Sequence, residues 1–228
     1  HAHGFSAPAE AFSVAEKAGI GSARVMLPDH IRPQLKKVQG TVLTTEFAPS
    51  TPSGSFAAKA LAELLDASAW ADGVLLAGDL GRNSETAIVL EKLASKYPGK
   101  LVLTKDAVDY FTSNASAIID RKDTCLVLTI AQLQKLATSA KFATAITFSM
   151  NLLQLVEALH AFTTQHTSYI VVKHLDTILV AVNGKVSTTK TEQGLEDSWR
   201  AATAAKASVW WIQNPSKPFQ ALTTSFFS

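Results

Sequence analysis

Between residues 8 and 18 the apolar side chains Ala11, Phe12, Val14 and Ala15 fall on one helical face, while Glu10, Glu16 and Lys17 lie elsewhere. Gly19-Ile-Gly21 follows as a helix stop, so the pattern predicts a helix and then a strand over 23–27, ended by Pro28. A short helix over 30–37 and a strand over 41–45 come next. Turn formers crowd residues 47–54 and predict an exposed loop, after which 56–65 resumes a helical period. Gly73-Val-Leu-Leu-Ala77 is continuously apolar, as in a strand buried on both faces of a parallel sheet. A helix over 84–96 and strands over 100–103 and 125–129 repeat the alternation.

A longer helix over 150–162 precedes three strands, 169–173, 177–181 and 185–187, the last after the turn signal Asn183-Gly184. Two helices, 197–212 and 217–224, close the chain around Asn214-Pro-Ser. Alternating strands and helices followed by a meander predict one α/β domain over 1–228, doubly wound, with a mostly parallel sheet and an antiparallel end.

Composition narrows the function classes. The 228 residues are 47% hydrophobic and 18% charged, which fits a folded domain with a sizeable core. Twenty-one Lys and Arg against nineteen Asp and Glu leave +2, without a basic run, so neither nucleic acid nor a membrane surface is indicated. Apolar stretches are strand-sized, and no secretory leader is visible at the start, so the reading is cytoplasmic. The single cysteine, Cys125, excludes an internal disulfide and lies in a strand-like apolar run. His160, His166 and His174 fall on different elements, and His1-Ala-His3 is too short to hold a metal. No Ser-His-Asp or Cys-His arrangement can be assembled either. Trp210-Trp211 with Phe219, Phe226 and Phe227 suits core packing or a homo-oligomer interface.

Several strings carry a family likeness. Residues 9–28 give an Ala-rich helix, an Ala-Gly-x-Gly turn and a strand; Gly78-Asp79-Leu80-Gly81 follows a buried strand; Leu101-Val-Leu-Thr-Lys-Asp106-Ala-Val ends another. Tyr169-Ile-Val-Val-Lys173 precedes Thr177-Ile-Leu-Val, Gly194-Leu-Glu-Asp197 opens a helix, and Pro218-Phe-Gln-Ala221 lies near the end. Together they resemble the NAD(P)H-hydrate dehydratases, ribokinase-like enzymes that repair hydrated nicotinamide cofactors with ATP or ADP. The resemblance spans nearly the whole chain and implies a ribokinase-like three-layer α/β/α fold that lacks the family's first strand and last helices.

The resemblance also implies roles. Asp197 stands where the family's Gly-Thr-Gly-Asp supplies the base; Lys173 and Gly194 would meet nucleotide phosphate; Gly78, Gly81 and Asp106 would line the substrate side. ATP or ADP, Mg2+ and a nicotinamide dinucleotide would be the ligands. Thr104 replaces one acid of the family's pair, Glu196 a glycine, and Ile130-Ala-Gln-Leu its Pro-His-Pro-Gly-Glu loop. A glutamate there sets a negative charge against phosphate and removes backbone freedom, which implies impaired catalysis. Each position also has an ordinary structural account: Asp197 or Asp106 as helix-start acids, Lys173 as a solvated strand-end cation, the glycines as a plain turn. A non-catalytic nucleotide-binding or scaffolding relative and a small-molecule kinase of the same superfamily stand as alternatives.

Overall fold

The computed structural model describes residues 1, 4–35, 44–191 and 199–227. The amphipathic start forms α1 (Ser6–Lys17), followed by β1 (Val25–Pro28), a 3-10 turn and the short α2 (Arg32–Leu35). β2 (Thr45–Ala48) pairs parallel with β1 and begins where the predicted strand 41–45 ends; residues 41–43 lie outside the described set. α3 (Leu61–Ala69), β3 (Gly73–Leu76), α4 (Ser84–Lys96) and β4 (Lys100–Thr104) follow. α4 matches its predicted span because Asn83 caps it, its side chain accepting from the Glu85 amide at 2.8 Å.

Two one-turn helices, α5 (Asp106–Asp109) and α6 (Ser116–Ile119), lead to β5 (Thr124–Leu128). α7 (Ile130–Ser139) starts directly after it and was not expected from periodicity. Its signal is a capping box, in which Thr129 and Gln132 each bond the other's backbone amide. α8 (Leu152–Gln165) starts on the same device, Asn151 with Gln154. β6 (Tyr169–His174), β7 (Thr177–Val182) and β8 (Lys185–Lys190) form the antiparallel end, with Asn183 and Gly184 both at positive φ in the β7–β8 turn. α9 (Trp199–Gln213) and α10 (Pro218–Thr224) complete the order.

The main sheet runs β3-β4-β5-β6-β7-β8, parallel through β6 and antiparallel beyond. Among the described residues the strands of this sheet sit in chain order, with helices on both faces as expected. Leu101, Leu103, Leu126, Leu128 and Ile170 pack with α4, α7 and α8. Val102, Cys125, Val127 and Val171 pack on the other face with Ala204, Ala207 and Trp211 of α9 and Leu222 of α10. All strand-to-strand crossovers from β3 to β6 therefore use one face, and the carboxyl-terminal helices cover the other, giving three layers.

Contacts fix the direction of α9. Ala201 and Ala205 pack with Ala77 just past β3 and with Ala7 and Ala11 of α1. Ile212 reaches Gly73 at the start of β3, and the Trp211 ring packs on Tyr169 at the start of β6. Thus α9 runs antiparallel to the parallel strands, and its amino terminus lies at their carboxyl edge. Small residues let α1 and α9 approach closely, and Gln213 Nε2 donates to the Gly19 carbonyl at 3.1 Å where both helices end.

Cys125 is fully enclosed in β5, and burial alone pushes its thiol up to about 12. The expected outcome is that a disulfide-exchange reagent labels the native protein only as fast as it unfolds, and labels it promptly in urea. Prompt labelling of the native protein would contradict this packing.

Candidate functional site at the carboxyl edge of the parallel strands

The backbone after β3 turns sharply because Gly78, Asp79 and Gly81 all take positive φ, at 104°, 58° and 79°. Space also requires Gly78, since a Cβ there would lie 2.7 Å from Lys105 Cβ and 3.0 Å from Asp106 Oδ1. The loops after β3 and β4 thus interlock. At the end of β4, Lys105 takes φ 54° with ψ −136°, a conformation that costs a non-glycine residue about 1–3 kcal/mol.

Two contacts hold that strained residue, and a third holds its neighbour Asp106. Gln132 Nε2 donates to the Lys105 carbonyl at 2.7 Å, Lys105 Nζ donates to Asp79 Oδ1 at 3.0 Å, and Asp106 Oδ2 accepts from the Leu80 and Gly81 amides at 2.8 and 3.2 Å. Tyr110 closes the same turn by donating its hydroxyl to the Gly81 carbonyl at 2.7 Å and accepting from the Asn83 amide. Gln132 also donates to Asp109 at 3.0 Å, so the cap of α7 orders the loop after β4.

Two carboxylates that feel the charge of one lysine are driven in opposite directions. Burial would raise Asp79, but the Ala7 amide at 2.7 Å, Lys105 and the Ser6 hydroxyl at 3.0 Å outweigh it and hold the carboxyl below its ordinary range. Ala7 lies in the first turn of α1, where amides favour an anion. Asp106 is raised: burial dominates, the Leu80 and Gly81 amides offset part of it, the Asp79 charge adds to the rise, and Lys105 opposes it. Its Oδ1 is buried and has no hydrogen-bond partner. Environments that separate two carboxylates in this way suit one to stay anionic and the other to hold or pass a proton.

Of the residues singled out in the sequence, Gly78, Gly81 and Asp106 meet in one network. Lys173 lies on β6, two strands from β4 and so about 10 Å across the sheet, half-buried, on the face that carries Val171 and packs against α9. Gly194 and Asp197, with Glu196, fall outside the described residues, immediately before α9. Thr104 is withdrawn from the edge, because its hydroxyl donates to the Val127 carbonyl at 3.1 Å and is fully buried. Sequence reasoning missed Asp79, Lys105, Tyr110 and Gln132 as members of the site. Only Gln132 carried a signal, through Thr129-x-x-Gln132. Among the described residues no group of three His, Cys, Asp or Glu side chains is placed to hold a metal ion, and no helix is long and apolar enough to cross a membrane.

No known family's sequence profile matches the chain. No characterised protein matches it by sequence. Solved structures do match by fold. A ribokinase-like superfamily protein from Enterococcus faecalis V583 superposes with a TM-score of 0.71 at 13% identity, over 96% of this chain and 71% of that one. Adenosine kinase from Anopheles gambiae, solved with P1,P4-di(adenosine-5) tetraphosphate, gives 0.56 at 10% identity, over 96% and 76%. Fructokinase from Xylella fastidiosa gives 0.51 at 11% identity, over 97% and 80%. The fold is ribokinase-like, as the sequence resemblance implied.

The opposed carboxyls predict opposed pH effects. Asp79 is lowered in the fold, so its stabilisation is present above its unfolded value near 3.8 and is lost as pH falls through the folded value. Asp106 is raised, so its favourable contribution is present below 3.8 and is lost as pH rises through the folded value. Melting temperatures from pH 3 to 7 are expected to show Asp79→Asn losing ground against wild type as pH rises, and Asp106→Asn gaining it. The same sign in both variants would refute the assignment.

Proposed function

We propose that the protein transfers a phosphoryl group from ATP or ADP to the hydroxyl of a small molecule bound at the carboxyl edge of β3 to β6. The observation that carries this reading is the orientation of α9, whose amino-terminal amides and positive dipole end lie at the edge that bears Asp79, Lys105 and Asp106. Ligands of open α/β sheets gather at such edges, and helix amino termini favour phosphate. The fold shared with adenosine kinase and fructokinase supports it.

Phosphoryl transfer needs positioned donors for spreading negative charge and a base for the attacking hydroxyl. Asp197, just ahead of α9, takes the hydroxyl proton as the oxygen bonds to the terminal phosphorus and the bridging P–O bond breaks. Gly194 and Lys173 meet phosphate, and the loop of Gly78 and Gly81, held by Asp106, meets the acceptor. In the finer reading the acceptor is the hydrated ring of NADH or NADPH. Phosphate then leaves with the C–O electrons while a neighbouring carbon loses its proton, which restores the ring double bond.

A second reading, a relative that binds nucleotide without turnover, is favoured by two contacts at the end of β4. Thr104, where the family carries an acid, spends its hydroxyl on the Val127 carbonyl, and Lys105 is already paired with Asp79.

Melting with AMP, ADP, ATP and NADH, with and without magnesium, tests the ligand; turnover of hydrated NADH and of other hydroxyl compounds then separates the readings. A ligand at a hundred times its Kd stabilises by about 2.7 kcal/mol, a rise of about 5–10 °C for a chain of this length. The expected result is such a rise with an adenine nucleotide, and turnover that Asp197→Asn abolishes while the rise persists. A rise without turnover supports the second reading, and no rise with any nucleotide sinks both.

A further inference from the structure

The β7–β8 turn joins a reactive dipeptide to a contact that restrains it. Of the five asparagines in the chain only Asn183 precedes a glycine. Glycine is required there twice over, because Gly184 takes φ 75° and a Cβ on it would lie 2.7 Å from Thr164 Oγ1. Asn183 takes φ 48°, which asparagine tolerates better than most side chains. The two residues make up the whole connection between Val182 and Lys185, which face each other across the hairpin. Since β7 runs against β6, this turn lies at the amino edge of the parallel strands, opposite the edge of Asp79 and Asp106.

Its two residues are held very differently. Asn183 is exposed, and among the described residues its side chain has no hydrogen-bond partner. Gly184 is gripped at both polar atoms by α8. Its amide donates to Thr163 Oγ1 at 3.1 Å, and its carbonyl accepts from His160 Nδ1, which fixes a hydrogen on that ring nitrogen. Thr163 is buried and donates its own hydroxyl proton to the Leu159 carbonyl at 2.8 Å, so its oxygen is oriented to present a lone pair to Gly184.

We propose that Asn183 is a self-modification site and that Thr163 governs its rate. The Gly184 amide nitrogen attacks Asn183 Cγ. As the N–Cγ bond forms, the Cγ–Nδ2 bond breaks, and the side-chain nitrogen leaves as ammonia with the proton that the Gly184 amide gives up. Water then opens the cyclic imide, either at Cγ to leave aspartate or at the backbone carbonyl to leave isoaspartate. The nitrogen can attack only after that proton has gone, and in the fold the proton is held against Thr163. The reaction therefore waits for a local opening of the turn. Aspartate keeps the hairpin and adds a negative charge beside Lys185. Isoaspartate lengthens the backbone by one methylene inside a two-residue turn, so the Val182–Lys185 register cannot persist. The inference stands independently of the phosphoryl-transfer reading.

The test holds wild type, Thr163→Val and Thr163→Ser at mildly alkaline pH, folded and in urea. Peptide mass at position 183 registers the replacement of NH2 by OH, and elution separates the aspartate and isoaspartate forms. In urea all three are expected to convert at one rate. Folded, Thr163→Val is expected to convert about tenfold or more faster than wild type, as suits the loss of one hydrogen bond, and Thr163→Ser at the wild-type rate. Labelling of the enclosed Cys125 thiol reports opening of the whole fold. Equal folded rates in Thr163→Val and wild type, or a serine variant as fast as the valine one, would overturn the role of Thr163. Cys125 labelling that accelerates as much as conversion would do the same. No conversion at position 183 in urea would overturn the site.

Discussion

The Asp106 carboxylate ties the loop after β4 to the backbone amides of the turn after β3. One oxygen receives two amides from the turn after β3, and that turn exists only because three of its four residues accept positive φ. Without this acceptor the Leu80 and Gly81 amides would face a half-buried crevice with no partner, and buried donors left unmade cost about 1–3 kcal/mol each. The turn that Asp106 holds is gripped from other sides as well: Lys105 and the α1 amino terminus converge on the Asp79 carboxylate, and Tyr110 clasps the Gly81 carbonyl. Its other oxygen is enclosed without a partner, so the group that organises the site is also the one least comfortable as an anion.

Chemistry at this edge rests on which helices lie over which face. Because the crossovers from β3 to β6 all use the α4, α7 and α8 face, the opposite face is left for a helix that arrives late in the chain. α9 fills it with alanines at Ala201, Ala204, Ala205 and Ala207, small enough for α1 to settle above it and for the sheet to lie close below. That closeness brings the α9 amino terminus near the loops after β3 and β4. A larger residue at these positions would lift the helix and move its dipole away from the edge. Packing and electrostatics are here two views of one choice of side-chain size.

Much of this architecture was legible because its signals are local. The helix over 84–96 matched its span owing to the Asn83 cap and its apolar spacing. The strands after residue 100 matched within three residues because apolar runs and the Asn183-Gly184 turn delimit them. α7 was hidden because its apolar face continues without a break from β5, blurring the change of period at Thr129. Strand order was not legible, since it depends on the face each helix chooses and not on the pattern within it. At the site, the glycines and Asp106 were visible as turn residues after an apolar strand. Asp79 and Lys105 were not, because an ion pair between residues 26 apart leaves no periodic trace.

The chain-ordered sheet also sets the sequence of folding events. Gly73 pairs with Lys100 only 27 residues away, whereas the bond from Gln213 to Gly19 closes a span of 194. Loop closure grows with the logarithm of length, so docking α1 on α9 carries about 2 kcal/mol more chain entropy than pairing neighbouring strands. Short-range pairing therefore favours a sheet that zips together along the chain, while α1, far from α9 in sequence, waits longest for its partner. Until α9 docks, Ala7 and Ala11 of α1 have Ala77 to pack against but lack the Ala201 and Ala205 surface that covers them in the fold, so this helix is the last to gain its full burial.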